Sequence, residues 1–147
     1  MATEFLIQYS VSATPIEEIE AVFVSNKVRL VHSLINSSVS GGRELECDNS
    51  PSNVRYMEYT TTAVWETLDT IFGATMTGVD FIMIKIVDSN QPPATPDVTL
   101  KIGTESISRL SGNNDVILIR PHGKNGNSYT IASNIYSNII IMVGISP

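Results

Sequence analysis

The residues of this chain best suited to chemistry lie in one short segment, residues 120–126, where an arginine, a lysine, a histidine and two glycines occur together. Glycine amides and a lysine can hold a phosphate group, but loops of that kind open a helix. Residues typical of β-strands flank this segment on both sides, so we predict the tip of a β-hairpin. As a ligand, a carboxylate or sugar phosphate on a partner fits such a loop better than a nucleotide.

Acidic side chains offer the next candidates, either as a carboxylate pair for hydrolysis or as calcium ligands. Asp97 and Asp115 do not have a spacing dedicated to either chemistry. Glu44, Glu46 and Asp48 alternate along the chain, but the segment lacks the glycine and the distal glutamate of a calcium loop. We therefore predict a solvent-exposed strand face for these three residues, and no metal site.

Cys47 is the single cysteine of the chain, and it lies in a polar segment that we expect to be a loop. It cannot form an intramolecular disulfide, and together with two histidines it cannot complete a four-ligand zinc site. His32 lies in an apolar β-type segment, which favours a structural role. Sequence motifs of hydrolases, zinc proteases, P-loop proteins and dinucleotide-binding proteins do not occur. We predict a protein that is not an enzyme, with no catalytic residues and no cofactor.

Composition and charge restrict the partners. The chain has 147 residues, which fits one domain, and 16% of them are charged, against about 25% in ordinary soluble domains. Ten acidic and four basic residues fall among residues 1–70, and this imbalance accounts for the net charge of −6. Because the nine basic residues are scattered rather than clustered, we predict no direct contact with nucleic acid.

Export and membrane insertion are not expected either. The first residues lack the basic, apolar and small-residue regions of a signal peptide. Residues 139–145, the longest uncharged apolar stretch, are too few to span a bilayer. We expect synthesis in a host cytoplasm and no membrane partner.

The elements that carry these residues are predicted to be strands. Residues 5–11 alternate between apolar and polar side chains, and three apolar runs follow in the second half of the chain, separated by turns rich in Gly, Asn, Pro and Ser. These runs are residues 79–87, 116–119 and 139–145. We predict an all-β fold, an antiparallel β-sandwich or jelly-roll-like domain over residues 1–147, with eight to ten strands joined as a string of hairpins and at most one or two short helices.

The predictions for the first half of the chain are more varied. Residues 16–20 follow Thr14 and Pro15, a favourable helix start, so we predict one helical turn there. Residues 36–53 read as a polar loop or arm, or as a loop that contains a short strand around residues 43–47. Residues 56–67 are predicted as a strand, and residues 68–72 fit a helix or a strand.

The terminal apolar run carries more apolar surface than one sandwich face requires. Residues 139–143 do not alternate, so we expect one face to pack on the domain's own core and the other against something else. The runs at 81–84 and 116–119 make the same demand. The cover is either another subunit or this chain's own N-terminal segment or arm. The candidate interface residues are Ile139, Ile140, Ile141, Met142, Val143, Arg43 and Leu45.

A resemblance supports the first of these two covers. Residues 79–86, 107–120 and 129–133, with the aliphatic strand that ends the chain, resemble the C-terminal part of small β-sandwich structural proteins of tailed-bacteriophage virions. The resemblance implies a non-enzymatic capsid decoration, connector or tail component located in the virion. It also implies a homo-oligomer whose partners are copies of itself and other virion proteins. It transfers no functional residues.

A second hypothesis is a carbohydrate- or receptor-binding β-sandwich module. Such modules use exposed aromatic rings that stack on sugars. Tyr56, Tyr59 and Trp65 are the candidate rings, and core packing is the competing explanation for all three.

Overall fold

A computed structural model describes residues 5–20, 27–31, 39–47 and 56–147. The chain divides into two compact units, one formed by Leu6–Leu45 and the other by Met1–Phe5 with Glu46–Pro147. The prediction of one domain over residues 1–147 stays a prediction.

The described residues of the smaller unit lie almost entirely in two strand pairs. Strands β1 (Phe5–Ala13) and β4 (Val39–Cys47) form one two-stranded sheet, and β2 (Ile16–Glu20) and β3 (Lys27–Val31) form another. The helical turn predicted at residues 16–20 is therefore wrong. The antiparallel register brings Ile16 opposite Val31 and Ile19 opposite Val28, and the strand preference of these β-branched residue types outweighs a local helix-start signal.

Strand β4 occupies the centre of the segment predicted as a polar loop or arm. Its last residues alternate, with Glu44 and Glu46 exposed and Leu45 and Cys47 buried. The exposed strand face predicted for Glu44 and Glu46 is thus confirmed, whereas Asp48 lies outside the described residues. Cys47 ends a strand instead of lying in a loop, because the period of two along β4 turns it to the buried side.

Over its described residues 56–147, the larger unit contains eight strands, one short helix and one 3-10 turn. In chain order they are β5 (Tyr56–Thr61), β6 (Glu66–Thr67), α1 (Leu68–Phe72), β7 (Val79–Ser89), β8 (Asp97–Ile102), β9 (Glu105–Ser111), β10 (Val116–Ile119), the 3-10 turn Gly126–Ser128, β11 (Tyr129–Ser133) and β12 (Ser137–Ile145).

These eight strands pair as nested partners. Strand β8 pairs with β9, β7 with β10, β6 with β11, and β5 with β12, all antiparallel. The pairs form two four-stranded sheets, a first sheet in the order β10-β7-β12-β5 and a second sheet in the order β6-β11-β8-β9. This is the strand order of a jelly roll. The all-β prediction is confirmed, as is the expectation of at most one or two short helices.

The predicted string of hairpins is wrong for this unit. Among its described strands, consecutive partners within one sheet occur at β8 and β9, around Gly103 and Thr104, while the other connections pass from one sheet to the other. Residues 120–126 are one such connection, from β10 of the first sheet to β11 of the second, and not a hairpin tip. Gly, Asn and Pro mark where the chain turns, but they do not specify which sheet receives the next strand.

The core lies between the two sheets. Each sheet contributes inward-facing aliphatic side chains, and helix α1 adds Leu68, Ile71 and Phe72. Thr67 caps this helix, since its Oγ1 accepts a hydrogen bond from the Thr70 amide at 3.1 Å. Residues 56–67 are therefore not one strand as predicted, because residues 62–65 separate β5 from β6.

Candidate interaction surface

Strand β12, the source of five candidate interface residues, lies in the interior of the first sheet between β7 and β5. Ile139, Ile141 and Val143 are no more than 1% exposed and belong to the jelly-roll core. Ile140 and Met142 point to the other side and are half-buried. The strand thus alternates in burial although its residue types do not alternate, and two of the five residues remain on the outward face.

The two other interface candidates lie on β4. Arg43 is exposed, whereas Leu45 is buried. Leu45 is therefore already covered within this chain.

The outward face of the first sheet carries two adjacent rows of side chains across all four strands. The registers align Leu118 with Met83, Met83 with Met142, and Met142 with Tyr56. The next row aligns Val116, Lys85, Ile140 and Glu58. We call these eight residues the outward patch; six of them are apolar or aromatic. Val116 is 52% exposed and Tyr56 54% exposed, so water reaches both edges of the patch.

Sequence reasoning found part of this patch and missed the rest. The unbroken runs at 81–84 and 116–119 indicated excess apolar surface, but they did not show which residues face outward together. The sequence indicates Tyr56 as a candidate ring for sugar stacking and not as an interface residue. Assigning these residues to one surface requires the register between strands that are distant in the chain.

The charges of the outward patch are arranged on either side of Ile140. Lys85 and Glu58 lie in register with Ile140 on the two neighbouring strands, so their Cα atoms are about 10 Å apart, twice the usual strand spacing. Neither residue forms an ion pair with another described residue. The patch therefore presents one positive and one negative group, each without an intramolecular ion-pair partner among the described residues.

A polar row bounds the patch on one side. The Thr60 hydroxyl donates to Asn138 Oδ1 at 2.9 Å, and Asn138 Nδ2 donates to Asp88 Oδ1 at 2.6 Å. These three residues lie in register on β5, β12 and β7. Their hydrogen-bonding groups are paired with one another, which separates the apolar rows from this end of the sheet.

The second sheet carries a different surface feature, a shallow groove of about 400 Å³ that we call the Trp65 groove. Its floor includes two small side chains, Thr99 and Ala132, which are aligned on β8 and β11. Trp65 stands on one side and the Arg109–Asp97 ion pair on the other. Ala63, Ser106, Ser133 and Asn134 complete the lining.

The charged side of the Trp65 groove is a hydrogen-bonded ion pair. Arg109 Nε lies 3.1 and 2.9 Å from the two carboxylate oxygens of Asp97, and Arg109 Nη2 also donates to Asp97 Oδ2. The hydrogen bond to Asp97 raises the pKa of the Arg109 guanidinium above its ordinary value, and the attraction between the two charges adds to the effect. The opposite side pairs Trp65 with Lys101, whose Nζ lies 3.9 Å from the ring centroid.

The other residues singled out in the sequence have separate structural roles. Asp97 is engaged by Arg109, whereas Asp115 accepts from the amides of Ser111 and Val116 at 2.9 and 3.0 Å and so fixes the turn before β10. Each of these two carboxylates is thus held by its own set of hydrogen-bond donors.

The basic loop at 120–126 is likewise tied to the scaffold. Arg120 donates to the Asp80 carbonyl at 2.8 Å and to the Asp80 carboxylate at 2.9 Å. The Lys124 carbonyl accepts from the Val79 amide at 2.9 Å. Both contacts fasten the crossing between the sheets to the start of β7.

The three candidate aromatic rings are not brought together. Tyr56 lies on the outward patch and Trp65 in its groove on the other sheet, whereas Tyr59 packs against the core. His32 lies outside the described residues. Within the described ranges, no three His, Cys, Asp or Glu side chains gather as metal ligands would. In the same ranges, no helix has the length and apolar character needed to cross a membrane.

Comparison of the chain with protein-family models, with curated proteins and with solved structures found no match.

Proposed function

We propose that this protein is a non-enzymatic structural subunit of a virion, a capsid decoration, connector or tail component, that self-associates through the outward patch and docks onto other virion proteins. The observation that carries the self-association is the pair of rows across the first sheet, an apolar row beside a row in which Lys85 and Glu58 flank Ile140. The jelly roll is a fold of viral capsid domains and of lectins, which supports the virion role by analogy alone.

The apolar row supplies the driving force for a dimer. Removing apolar surface from water contributes roughly 25 cal/mol per Å², and Tyr56 and Val116 are each more than half exposed in the single chain. Met83, Met142 and Leu118 add half-buried surface to the row of Tyr56, and Val116 lies next to them in the charged row. A second copy that lies face to face on this sheet would bury the row completely, as two sheets do inside a sandwich.

The charged row selects the symmetry. A two-fold axis that runs parallel to β12, between two facing sheets, places Ile140 of one subunit against Ile140 of the other. It also places Lys85 of each subunit over Glu58 of the other, so that both charges gain an opposite partner. An axis perpendicular to the strands would instead place like charges over one another. We therefore propose an isologous dimer with two equivalent Lys85–Glu58 ion pairs.

Charge exchange at this row tests the dimer. Lys85→Glu alone opposes glutamates, Glu58→Lys alone opposes lysines, and the double variant restores opposite charges with the signs exchanged. Sedimentation velocity at about 1 to 100 µM should show a concentration-dependent dimer for the natural protein and the double variant, and monomers for each single variant. Lys124→Glu and Glu105→Lys make the same charge changes at exposed positions outside the patch, so both should dimerise normally.

Two results would contradict the proposal. One is a natural protein that stays monomeric over this concentration range. The other is a dimer that both single variants leave unchanged. Either result removes self-association through the outward patch.

The virion assignment needs its own experiment. Quantitative mass spectrometry of purified particles of the virus that encodes this chain should find it in many copies per particle, and crosslinking should join it to other virion proteins. Particles without the chain would overturn the virion role, whatever the outcome for the dimer.

A further inference from the structure

We infer that the Trp65 groove of the second sheet is a carbohydrate-binding site that holds one pyranose unit of a neutral glycan. The inference does not depend on the proposed assembly role, because the groove and the outward patch lie on different sheets of the jelly roll.

The aromatic side of the groove suits the apolar face of a sugar. Trp65 is 43% exposed, and burying so large a ring would be favourable. The small residues of the groove floor leave room for a ligand beside the ring. The C–H groups on one face of a pyranose are weakly positive, and they pack on the negative face of an aromatic ring as a cation does. Lys101 Nζ occupies one face of this ring, 3.9 Å from the centroid, and Lys101 does not line the groove, so the sugar would stack on the ring face that is turned away from Lys101.

The polar side of the groove suits a pair of neighbouring hydroxyl groups. Asp97 provides carboxylate oxygens that accept hydrogen bonds, and Arg109 provides guanidinium N–H groups that donate them, and the two side chains are joined by hydrogen bonds. A vicinal diol can donate to the carboxylate through one hydroxyl and accept from the guanidinium through the other. The Arg109 side chain is 73% exposed, so its remaining donors are accessible.

The rim adds groups of matching chemistry. Thr99, Ser106 and Asn134 provide hydroxyl and amide groups, each able to donate and to accept. The Arg109–Asp97 pair is internally neutralised, which favours a neutral sugar over a phosphate or a sulfate. A groove of about 400 Å³ has room for one sugar ring with part of a second.

The chain itself provides a specific probe, since Trp65 is its single tryptophan. Tryptophan emission therefore reports on this groove alone. We would first screen the labelled natural protein on a glycan array and then titrate it with maltotriose, cellotriose, mannotriose and N-acetyllactosamine. The expected result is array binding together with a saturable shift of the Trp65 emission.

Variants localise the binding. Asp97→Asn removes the carboxylate charge at nearly constant size and should weaken binding by about tenfold, the loss expected for one charge-assisted hydrogen bond. Trp65→Ala, followed by the array and by NMR titration, should abolish binding. Glu105→Gln, at the exposed first residue of β9, is the matched control and should bind normally. Thermal unfolding shows whether each variant is folded.

Two outcomes overturn the inference. The first is a natural protein that neither binds the array nor changes its emission with any of the four sugars. The second is a folded Trp65→Ala variant that binds glycans as the natural protein does. If the groove instead takes a protein segment, the array is negative and the inference fails, while the dimer proposed at the other sheet is unaffected.

Discussion

The hydroxyl group of Tyr129 lies in the core of the larger unit. The side chain is fully buried, and its hydroxyl has no hydrogen-bond partner among the residues that the structure describes. An unpaired buried hydroxyl costs roughly 1–3 kcal/mol relative to water. We expect Tyr129→Phe to raise the free energy of unfolding by about 1 kcal/mol, measured by urea denaturation. Leu100→Ala, which removes buried methyl groups from the same core, should instead destabilise the protein by about 2–5 kcal/mol. A Phe variant less stable than the natural protein would show that the hydroxyl has a partner.

The same residue predicts a dependence on alkaline pH. Burial raises the pKa of the Tyr129 hydroxyl above its ordinary value of 10.0. Above about pH 10 the folded state then keeps a proton that the unfolded state releases. The titration of this group therefore leaves the free energy of unfolding unchanged below pH 10 and lowers it as the pH rises further. Tyr129→Phe lacks this loss. We expect the stability difference between the two proteins to be constant from pH 7 to 9 and to widen in favour of Phe above about pH 10. A stability difference that stays constant above pH 10 as well would contradict the prediction.

Gly126 is required by the close approach of two neighbouring segments. Its amide donates to the Met76 carbonyl at 2.9 Å, and Asp69 Oδ1 accepts from the Met76 amide at 3.1 Å. A Cβ atom at residue 126 would overlap Asp69 Oδ1 and lie 2.9 Å from Met76 Cε. We expect Gly126→Ala to lower the free energy of unfolding by about 1–3 kcal/mol. Gly41→Ala is the control, because a Cβ there meets no atom within 4 Å. Equal effects of the two substitutions would rule out the steric explanation.

Among the elements, helix α1 depends on its cap more than a longer helix would. Thr67 Oγ1 accepts from the Thr70 amide at 3.1 Å, and five residues form too few internal hydrogen bonds to be stable alone. We expect Thr67→Ala to lower the free energy of unfolding by about 1 kcal/mol, and Thr67→Ser to retain most of it because serine keeps the accepting oxygen. Chemical denaturation of both variants measures the difference. A serine variant as unstable as the alanine variant would assign the effect to the lost methyl group.

Strand positions in the second half could be predicted from the sequence because they depend on local pattern. Apolar runs and turn residues located β7, β10 and β12 to within two residues. What the local pattern cannot contain is the partner of each strand. Ile140 and Ile141 are chemically identical, yet one faces outward and one lies in the core, and that assignment comes from pairing with β5 and β7.

The candidate surfaces were harder to predict for the same reason. The outward patch combines Tyr56 with Leu118, and the Trp65 groove combines Trp65 with Arg109. Each pair is separated by more than forty residues of chain. Their proximity results from the nested pairing of the jelly roll, and spacing within a short segment of sequence carries no signal of it.

At the scale of the whole molecule, the nested pairing gives β12 a partner strand that is distant from it in the sequence. It closes the first sheet by pairing with β5 on one side and β7 on the other, and β5 precedes it by more than seventy residues. Such distant contacts require most of the chain to be collected before they form, so we expect folding on a millisecond-to-second timescale, as in other all-β domains.

The division into two units leads to the last prediction. Every residue of the main core cluster, and every partially buried residue packed against it, belongs to the larger unit. All eight jelly-roll strands also find their partners within that unit. A fragment of residues 46–147 should therefore fold by itself, with a β-type circular dichroism spectrum, dispersed amide signals and one cooperative unfolding transition. A fragment of residues 46–136, which lacks β12, should stay unfolded because the first sheet loses its second interior strand. If the longer fragment were also unfolded, residues 6–45 would be part of the folding unit, and the two-unit description would be wrong.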